Sequence, residues 1–168
     1  NNTGDKMYYI NHFFIFSIIG HLIETLGTKG FNSGILYGWW TPVYGFGVII
    51  ILLIGKLINK FNFSNKKILK IFITYLLCTI ILTLIELLGG YLIKWIWHTE
   101  IWNYENHKFN MGHYISLEIS NIWGIAGIFV LYVLKPLFDK IINKIPKWLT
   151  YTLITLFTID SILTLILK

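Results

Sequence analysis

The chain has 168 residues, of which 55% are apolar and only 13% are charged. Soluble domains carry about 25% charged residues, and a soluble core of this size could not bury so much apolar side chain. A bilayer accepts apolar side chains all round a helix, so the composition excludes an ordinary soluble domain. It predicts a single integral membrane domain over residues 1–168.

The net charge of +6 comes from 14 lysines against eight acids, and arginine is absent. The lysines lie between apolar runs, where such residues set the orientation of membrane spans. Nucleic-acid binding would instead call for basic residues clustered with aromatic residues on a soluble face. The predicted partner is therefore the lipid bilayer and not nucleic acid.

Five apolar runs are long enough, or nearly so, to cross a membrane. In chain order they cover residues 7–26, 43–58, 68–93, 115–134 and 148–167. A crossing needs about 20 residues at a rise of 1.5 Å each, and the first two runs are near that minimum. The Gly/Trp-rich segment 30–47 is therefore predicted to re-enter the membrane in part. The predicted fold class is all-α, a polytopic membrane helix bundle of about five spans.

Lysines crowd two of the links between these runs. They are Lys56, Lys60, Lys66, Lys67 and Lys70 in the first link, and Lys135, Lys140, Lys144 and Lys147 in the second. The positive-inside rule predicts that both links and the N-terminus are cytoplasmic and that the C-terminus is outside. Segments 27–42 and 94–114 then face outward, and their many aromatic residues form either an interfacial belt or the mouth of a binding site.

Four acids fall in the outer half of the predicted spans. They are Glu24, Glu86, Glu118 and Asp160. A charged side chain at a helix centre costs about 2.5 to 3.5 kcal/mol on insertion scales, so such residues face a bundle interior or water. The four acids are therefore candidates for a polar site.

Two of these acids continue a polar stripe along their helix. Ser17, His21 and Glu24 follow each other at spacings of four and three. The second stripe has spacings of four, three and four and consists of Thr79, Thr83, Glu86 and Gly90. Such spacings place side chains on one helix face. The stripe predicts either a polar interior or hydrogen bonds between helices that pack closely.

The acids suit several ligands. Carboxylates alone would bind a proton, Na⁺ or a cationic substrate, and carboxylates with His21 or His113 would bind a divalent metal ion. HExxH, GxSxG and Walker motifs are missing from the sequence. Transport driven by ATP would therefore need a separate ATPase subunit. No cofactor is expected, and the sequence leaves open whether a metal binds.

Several motifs occur in an order that resembles a known family. They are FFIFSIIGHLIET, FNSGILYGWWTPVYGFG, IELLGGYL and IWNYENHKFNMGHYISLEISNIWG. Together they resemble the bacterial permeases of the ABC-transporter type IV family, also called CmpB-like. The chain departs from the family's usual residues at His21, Trp39 and His113. The resemblance implies a multi-pass protein of the bacterial cell membrane that takes part in transport.

The acids and the family motifs together predict the residues of a site. Its binding residues are Glu24, Glu86, Glu118, His21, Tyr44, Trp102, Tyr104, Asn110 and His113. Its structural residues are Pro42, Gly45, Gly47, Gly89, Gly90, Trp123 and Gly124. In the predicted topology these residues converge on the outer face.

Three functions fit this site. The leading one is a transport-associated protein in which Glu24 and Glu86, supported by Glu118, bind a proton, cation or small cationic substrate under an aromatic loop. The second is a membrane-embedded enzyme acting on a lipid or lipid-linked sugar. The third is a non-catalytic partner or regulator whose acids pair helices. Five spans are few for a solitary transporter, so a homodimer or a partner subunit is expected.

Overall fold

The computed structural model describes residues 2–28, 36–61, 66–100 and 102–167, and its regular elements there are helices. They are α1 (Asn2–Thr28), α2 (Pro42–Ile58), α3 (Lys67–Trp97), α4 (Leu117–Phe129), a π-helical turn (Val130–Leu134), α5 (Lys135–Ile142) and α6 (Lys147–Leu167). The predicted all-α fold class is confirmed.

Four helical stretches are long and apolar enough to cross a membrane. They are Lys6–Gly27, Lys67–Trp97, Leu117–Ile142 and Lys147–Leu167, and the shorter apolar helix Pro42–Ile58 joins them. These five stretches match the five predicted runs. The predicted re-entry of segment 30–47 lies partly on residues 30–35, outside the described residues. Residues 36–41 are non-helical, and Pro42 begins α2 at the position where a missing backbone N–H costs nothing.

The fourth stretch differs from its prediction at both ends. It begins at Leu117 because residues 110 and 116 form an isolated antiparallel bridge just before it. It continues to Ile142 instead of ending at residue 134. The π-helical turn explains this extension, since the Lys135 N–H bonds to the Val130 carbonyl and the helix passes on through Pro136.

The chain divides into two compact units. The terminal unit comprises Asn1–Ile49 and Pro136–Lys168, and the central unit comprises Ile50–Lys135. The single domain over residues 1–168 stays a prediction.

Aromatic rings form the core of the terminal unit. The Phe13 ring contacts the Phe46 ring at 4.9 Å and the Phe157 ring at 5.4 Å between centroids. A Cβ at Gly45 would overlap Phe13 and Ser17. Only glycine therefore lets the start of α2 lie this close to α1.

The central unit is built on the antiparallel pair α3 and α4. The buried residues of α3 recur every fourth position, from Thr74 through Cys78, Leu82 and Glu86 to Gly90. This spacing keeps them on one face of the helix. A Cβ at Gly124 would overlap side chains of α3, so this glycine brings α4 close to that face.

Candidate functional site

Glu86 is the buried acid of the central unit, with 6% of its surface exposed. The Tyr104 hydroxyl donates to Glu86 Oε1 at 2.7 Å, and Trp123 Nε1 donates to Oε2 at 2.9 Å. Both donors are neutral. Among the described residues, no lysine or histidine pairs with this carboxylate. The structure thus brings together three of the predicted site residues.

The segment from residue 102 to residue 116 holds Tyr104 in place by its own hydrogen bonds. The Tyr104 N–H donates to the His113 carbonyl at 2.7 Å, and the Met111 N–H donates to the Ile115 carbonyl at 2.9 Å. The Asn110 side chain donates to the Glu105 carbonyl at 3.3 Å, and Gly112 supplies a positive φ of 70°. This segment, called the aromatic loop below, is therefore an ordered structure over α3.

The predicted glycine pair on α3 contacts this aromatic loop unequally. A Cβ at Gly90 would lie 2.7 Å from the Tyr114 ring, whereas a Cβ at Gly89 would come no closer than 3.8 Å to the Trp102 ring. The close approach of Tyr114 therefore depends on Gly90.

Two other predicted site residues lie at the exposed rim of the aromatic loop. Glu118 Oε2 pairs with His107 Nδ1 at 2.5 Å, and His113 Nδ1 pairs with Glu105 Oε1 at 2.8 Å. The side chains of Glu118 and His113 are 46% and 47% exposed. They form ion pairs at the surface when the histidines are protonated.

An exposed carboxylate secures the start of the aromatic loop. Glu100 Oε1 accepts from Lys94 Nζ at 2.7 Å and from the Tyr114 hydroxyl at 3.2 Å. The hydrogen bond from Lys94 is the largest cause that lowers the pKa of Glu100 below its ordinary value. The ionised form of Glu100 is the one that the folded loop favours.

Some buried polar atoms of the central unit have no hydrogen-bond partner in the part of the chain that the structure describes. They are Thr79 Oγ1, Thr83 Oγ1, Trp102 Nε1 and Ser116 Oγ. Leaving such a group unpaired costs about 1–3 kcal/mol. These unpaired groups lie in the same unit as Glu86.

The predicted residues of the first span and its loop lie in the terminal unit. His21 is 6% exposed, and its Nδ1 lies 3.5 Å from Thr41 Oγ1. A Cβ at Gly20 would overlap the Tyr44 ring, so this tyrosine packs directly on α1. Gly47 is buried in α2, and Glu24 is half-buried. The pairing of Glu24 with Glu86 stays a prediction.

Asp160 was not among the predicted binding residues, but three hydrogen bonds hold its carboxylate in place. Its Oδ1 accepts from the Tyr37 N–H at 3.0 Å. Its Oδ2 accepts from the Gly38 N–H at 2.9 Å and from Trp40 Nε1 at 2.6 Å. The pair of tryptophans in a glycine-rich segment is the sequence feature that could have indicated these hydrogen bonds. Residue spacing alone does not connect that segment with α6.

A second polar network was also missed. The Tyr8 hydroxyl donates to Asp139 Oδ1 at 2.7 Å, and His12 Nε2 lies 3.8 Å from the same oxygen. His12 is 1% exposed, and its Nδ1 is 2.9 Å from the Tyr8 carbonyl. A lone histidine in an apolar helix carries little sequence signal, so this network was not predicted.

The predicted metal ligands do not assemble into a centre within the described ranges. Among those residues, no group of three or more His, Cys, Asp and Glu side chains is placed to hold a metal ion. The chemistry that remains at Glu86 is that of one buried carboxylate and its neutral donors.

Comparison with known proteins places these features in a family. A search of curated proteins and a search of solved structures each returned no match. The family model described as "Putative ABC-transporter type IV" matches residues 11–166. This range includes every predicted site residue, and it confirms the resemblance that the motifs indicated. The chain is a membrane protein that belongs to the putative ABC-transporter type IV family.

Proposed function

We propose that this membrane protein takes part in transport and that Glu86, with Tyr104 and Trp123, binds a proton, a cation or a small cationic substrate. One observation carries the proposal. A carboxylate in the apolar helix α3 is 6% exposed, and its hydrogen-bond donors within the described residues are all neutral.

The electrostatics of this arrangement favour a positively charged ligand. Two neutral hydrogen bonds stabilise a carboxylate but leave its net charge in place. A buried net charge is costly in an apolar medium unless it is paired. A bound proton or cation would cancel the charge, and the Thr83 hydroxyl, one helical turn before Glu86 and unpaired among the described residues, offers a further oxygen.

The membrane topology and the partners belong to the same proposal. With the lysine-rich links cytoplasmic, Glu86 lies in the outer half of the membrane, and the aromatic loop covers it from outside. The N-terminus is then cytoplasmic and the C-terminus is outside. A separate ATPase subunit, or a second copy of this chain, would complete the transporter.

A non-catalytic partner or regulator is the alternative that one observation favours. Each oxygen of Glu86 already accepts a hydrogen bond, as expected of an acid that pairs α3 with the aromatic loop and α4. In that case Glu86 would contribute to stability without binding a ligand.

The two functions differ in how Glu86→Gln changes ligand linkage. We would measure the thermal stability of the purified, folded protein against pH and against Na⁺, with choline as the inert cation. A ligand at 100 times its Kd stabilises the folded state by about 2.7 kcal/mol. We expect the wild type to show linkage to protons or Na⁺ and Glu86→Gln to abolish it.

Asp160→Asn is the matched control, since it removes the charge of another buried span acid. We expect this variant to unfold at lower temperature and to keep the linkage. A wild type without linkage, or linkage that survives in Glu86→Gln, would refute the binding site. A lower melting temperature as the only effect of Glu86→Gln would support the partner or regulator.

A further inference from the structure

Two spans of the terminal unit begin side by side. The Thr150 hydroxyl near the start of α6 donates to Asn11 Oδ1 at 2.7 Å, and the Phe14 and Phe157 rings meet farther along at 5.8 Å between centroids. The second contact lies later in the chain than the first in both helices, so α1 and α6 run parallel. Their starting ends therefore lie at one level, where an apolar span meets the membrane surface.

A cavity of about 490 Å³ lies at this level. It is lined by Gly4, Met7, Tyr8, Asn11, Ile142, Asn143, Ile145 and Lys147. Its size is within the usual range for sites that bind small molecules, about 300–1,000 Å³. The lining combines one cationic side chain and neutral polar groups with apolar side chains.

The most buried polar group of the lining is the Asn11 amide. Asn11 is 5% exposed, and its carbonyl oxygen accepts from the Thr150 hydroxyl. Because that bond uses the oxygen, the two amide N–H groups can donate to a ligand in the cavity. Asn143 adds a second amide, and Lys147 adds a positive charge.

The one charged side chain that lines this cavity, Lys147, favours an anion. The one acid of α5, Asp139, accepts from the Tyr8 hydroxyl and lies beside the His12 ring. Its charge is thereby partly engaged, and Asp139 does not line the cavity.

We propose that this cavity binds the phosphate group of an anionic phospholipid, with Lys147 supplying the charge and Asn11 and Asn143 supplying hydrogen-bond donors. A free phosphate ion shares this chemistry. A lipid is the better source because Met7, Ile142 and Ile145 line the same cavity and can contact the glycerol and upper acyl region. The site lies in the terminal unit and is independent of the function proposed for Glu86.

The first test compares two lysines of the same link. The full chain is placed in phosphatidylcholine nanodiscs, and its thermal stability is titrated with increasing phosphatidylglycerol. A lysine near the membrane surface changes binding of anionic lipid about fivefold. We expect Lys147→Gln to raise the phosphatidylglycerol fraction at half-effect about fivefold and Lys144→Gln, outside the lining, to change it much less.

The second test fills the cavity without changing charge. A Cβ at Gly4 would meet no atom within 4 Å, and the same holds for Gly27 at the other end of α1. Gly4→Leu should therefore fold and weaken the phosphatidylglycerol effect, whereas Gly27→Leu should leave it unchanged.

Each other outcome would overturn the proposal. Equal stabilisation by the zwitterionic lipid phosphatidylethanolamine in place of phosphatidylglycerol would show that the net negative charge of the lipid is not recognised. Equal losses in the two lysine variants would show diffuse attraction to the membrane surface. No loss in Gly4→Leu would exclude the cavity, and full stabilisation by inorganic phosphate alone would identify a free ion as the ligand instead of a lipid.

Discussion

The hydrogen bonds of Asp160 lead to a quantitative prediction about the segment 36–41. Three donors converge on this carboxylate, and two of them, the Gly38 N–H and Trp40 Nε1, share Oδ2. Asp160→Asn replaces one oxygen with an NH₂ group, so at least one donor loses its acceptor. A hydrogen bond to a charged group contributes about 1.5–3 kcal/mol, which sets the expected loss of unfolding free energy.

Trp40→Phe isolates one of these bonds. Phenylalanine keeps an aromatic ring where Trp40 packs at 5.7 Å from the Phe157 ring, but it removes the indole N–H. A double-mutant cycle of Trp40→Phe and Asp160→Ala, which removes both acceptor oxygens, should therefore show a coupling free energy of about 1.5–3 kcal/mol.

The assay is reversible unfolding of the purified protein in mixed micelles with an increasing fraction of denaturing detergent. Hydrogen exchange provides a second readout, because the N–H groups of Tyr37 and Gly38 should exchange faster in Asp160→Asn. Additive losses, with a coupling below about 0.5 kcal/mol, would show that the Trp40 bond to Asp160 does not stabilise the fold.

Two further predictions concern the aromatic loop. Gly90→Ala should lower the unfolding free energy by about 1–3 kcal/mol, because its Cβ would lie 2.7 Å from the Tyr114 ring, while Gly89→Ala, with 3.8 Å of space, should be close to neutral in the same unfolding assay. The pKa of Glu100 is lower in the folded protein than its unfolded-state value of about 4.5. Its hydrogen bond with Lys94 therefore stabilises the loop fully above pH 4.5. This stabilisation is lost as the pH falls through the lower folded-state pKa. The protection factors of the loop amides, which take out the intrinsic pH dependence of exchange, should therefore fall below pH 4.5 in the wild type. Lys94→Gln should exchange faster at neutral pH and should lose this acid dependence; an unchanged pH profile would contradict the assignment.

The sequence was sufficient to predict the helices but not the partners of the acids. Apolar runs and their lengths follow from the bilayer, so α3 and its buried Glu86 could be recognised directly. Tyr104 and Trp123 lie 18 and 37 residues from Glu86, and no helical period relates them. Their approach depends on the hydrogen bonds inside the aromatic loop, which the sequence pattern does not reveal.

The fourth helical stretch continues beyond the end of its predicted apolar run for a local reason. Lys135 and Pro136 follow an apolar run and resemble a helix stop, since proline lacks an N–H and clashes with the preceding turn. The π-helical turn Val130–Leu134 accommodates them, because its wider hydrogen bonds shift the pairing just before the proline. Periodicity alone does not predict such a turn.

The buried acids Glu86 and Asp160 each accept a hydrogen bond from a tryptophan, but they differ in how many hydrogen bonds they accept. Trp123 donates its indole N–H to Glu86, and Trp40 donates its own to Asp160. A carboxylate has about four acceptor positions. Asp160 uses three of them in bonds to the short segment 37–40, whereas Glu86 uses two.

This difference assigns different roles to the two acids. Asp160 has the environment of a structural anchor, and its charge is spread over three donors. Glu86 keeps more acceptor capacity at a similar burial, in the unit that also contains unpartnered threonine hydroxyls. A proton or cation should therefore bind at Glu86 in preference to Asp160. Titration of Glu86→Gln and Asp160→Asn with protons and Na⁺ tests this order. Loss of the linkage in Asp160→Asn but not in Glu86→Gln would contradict it.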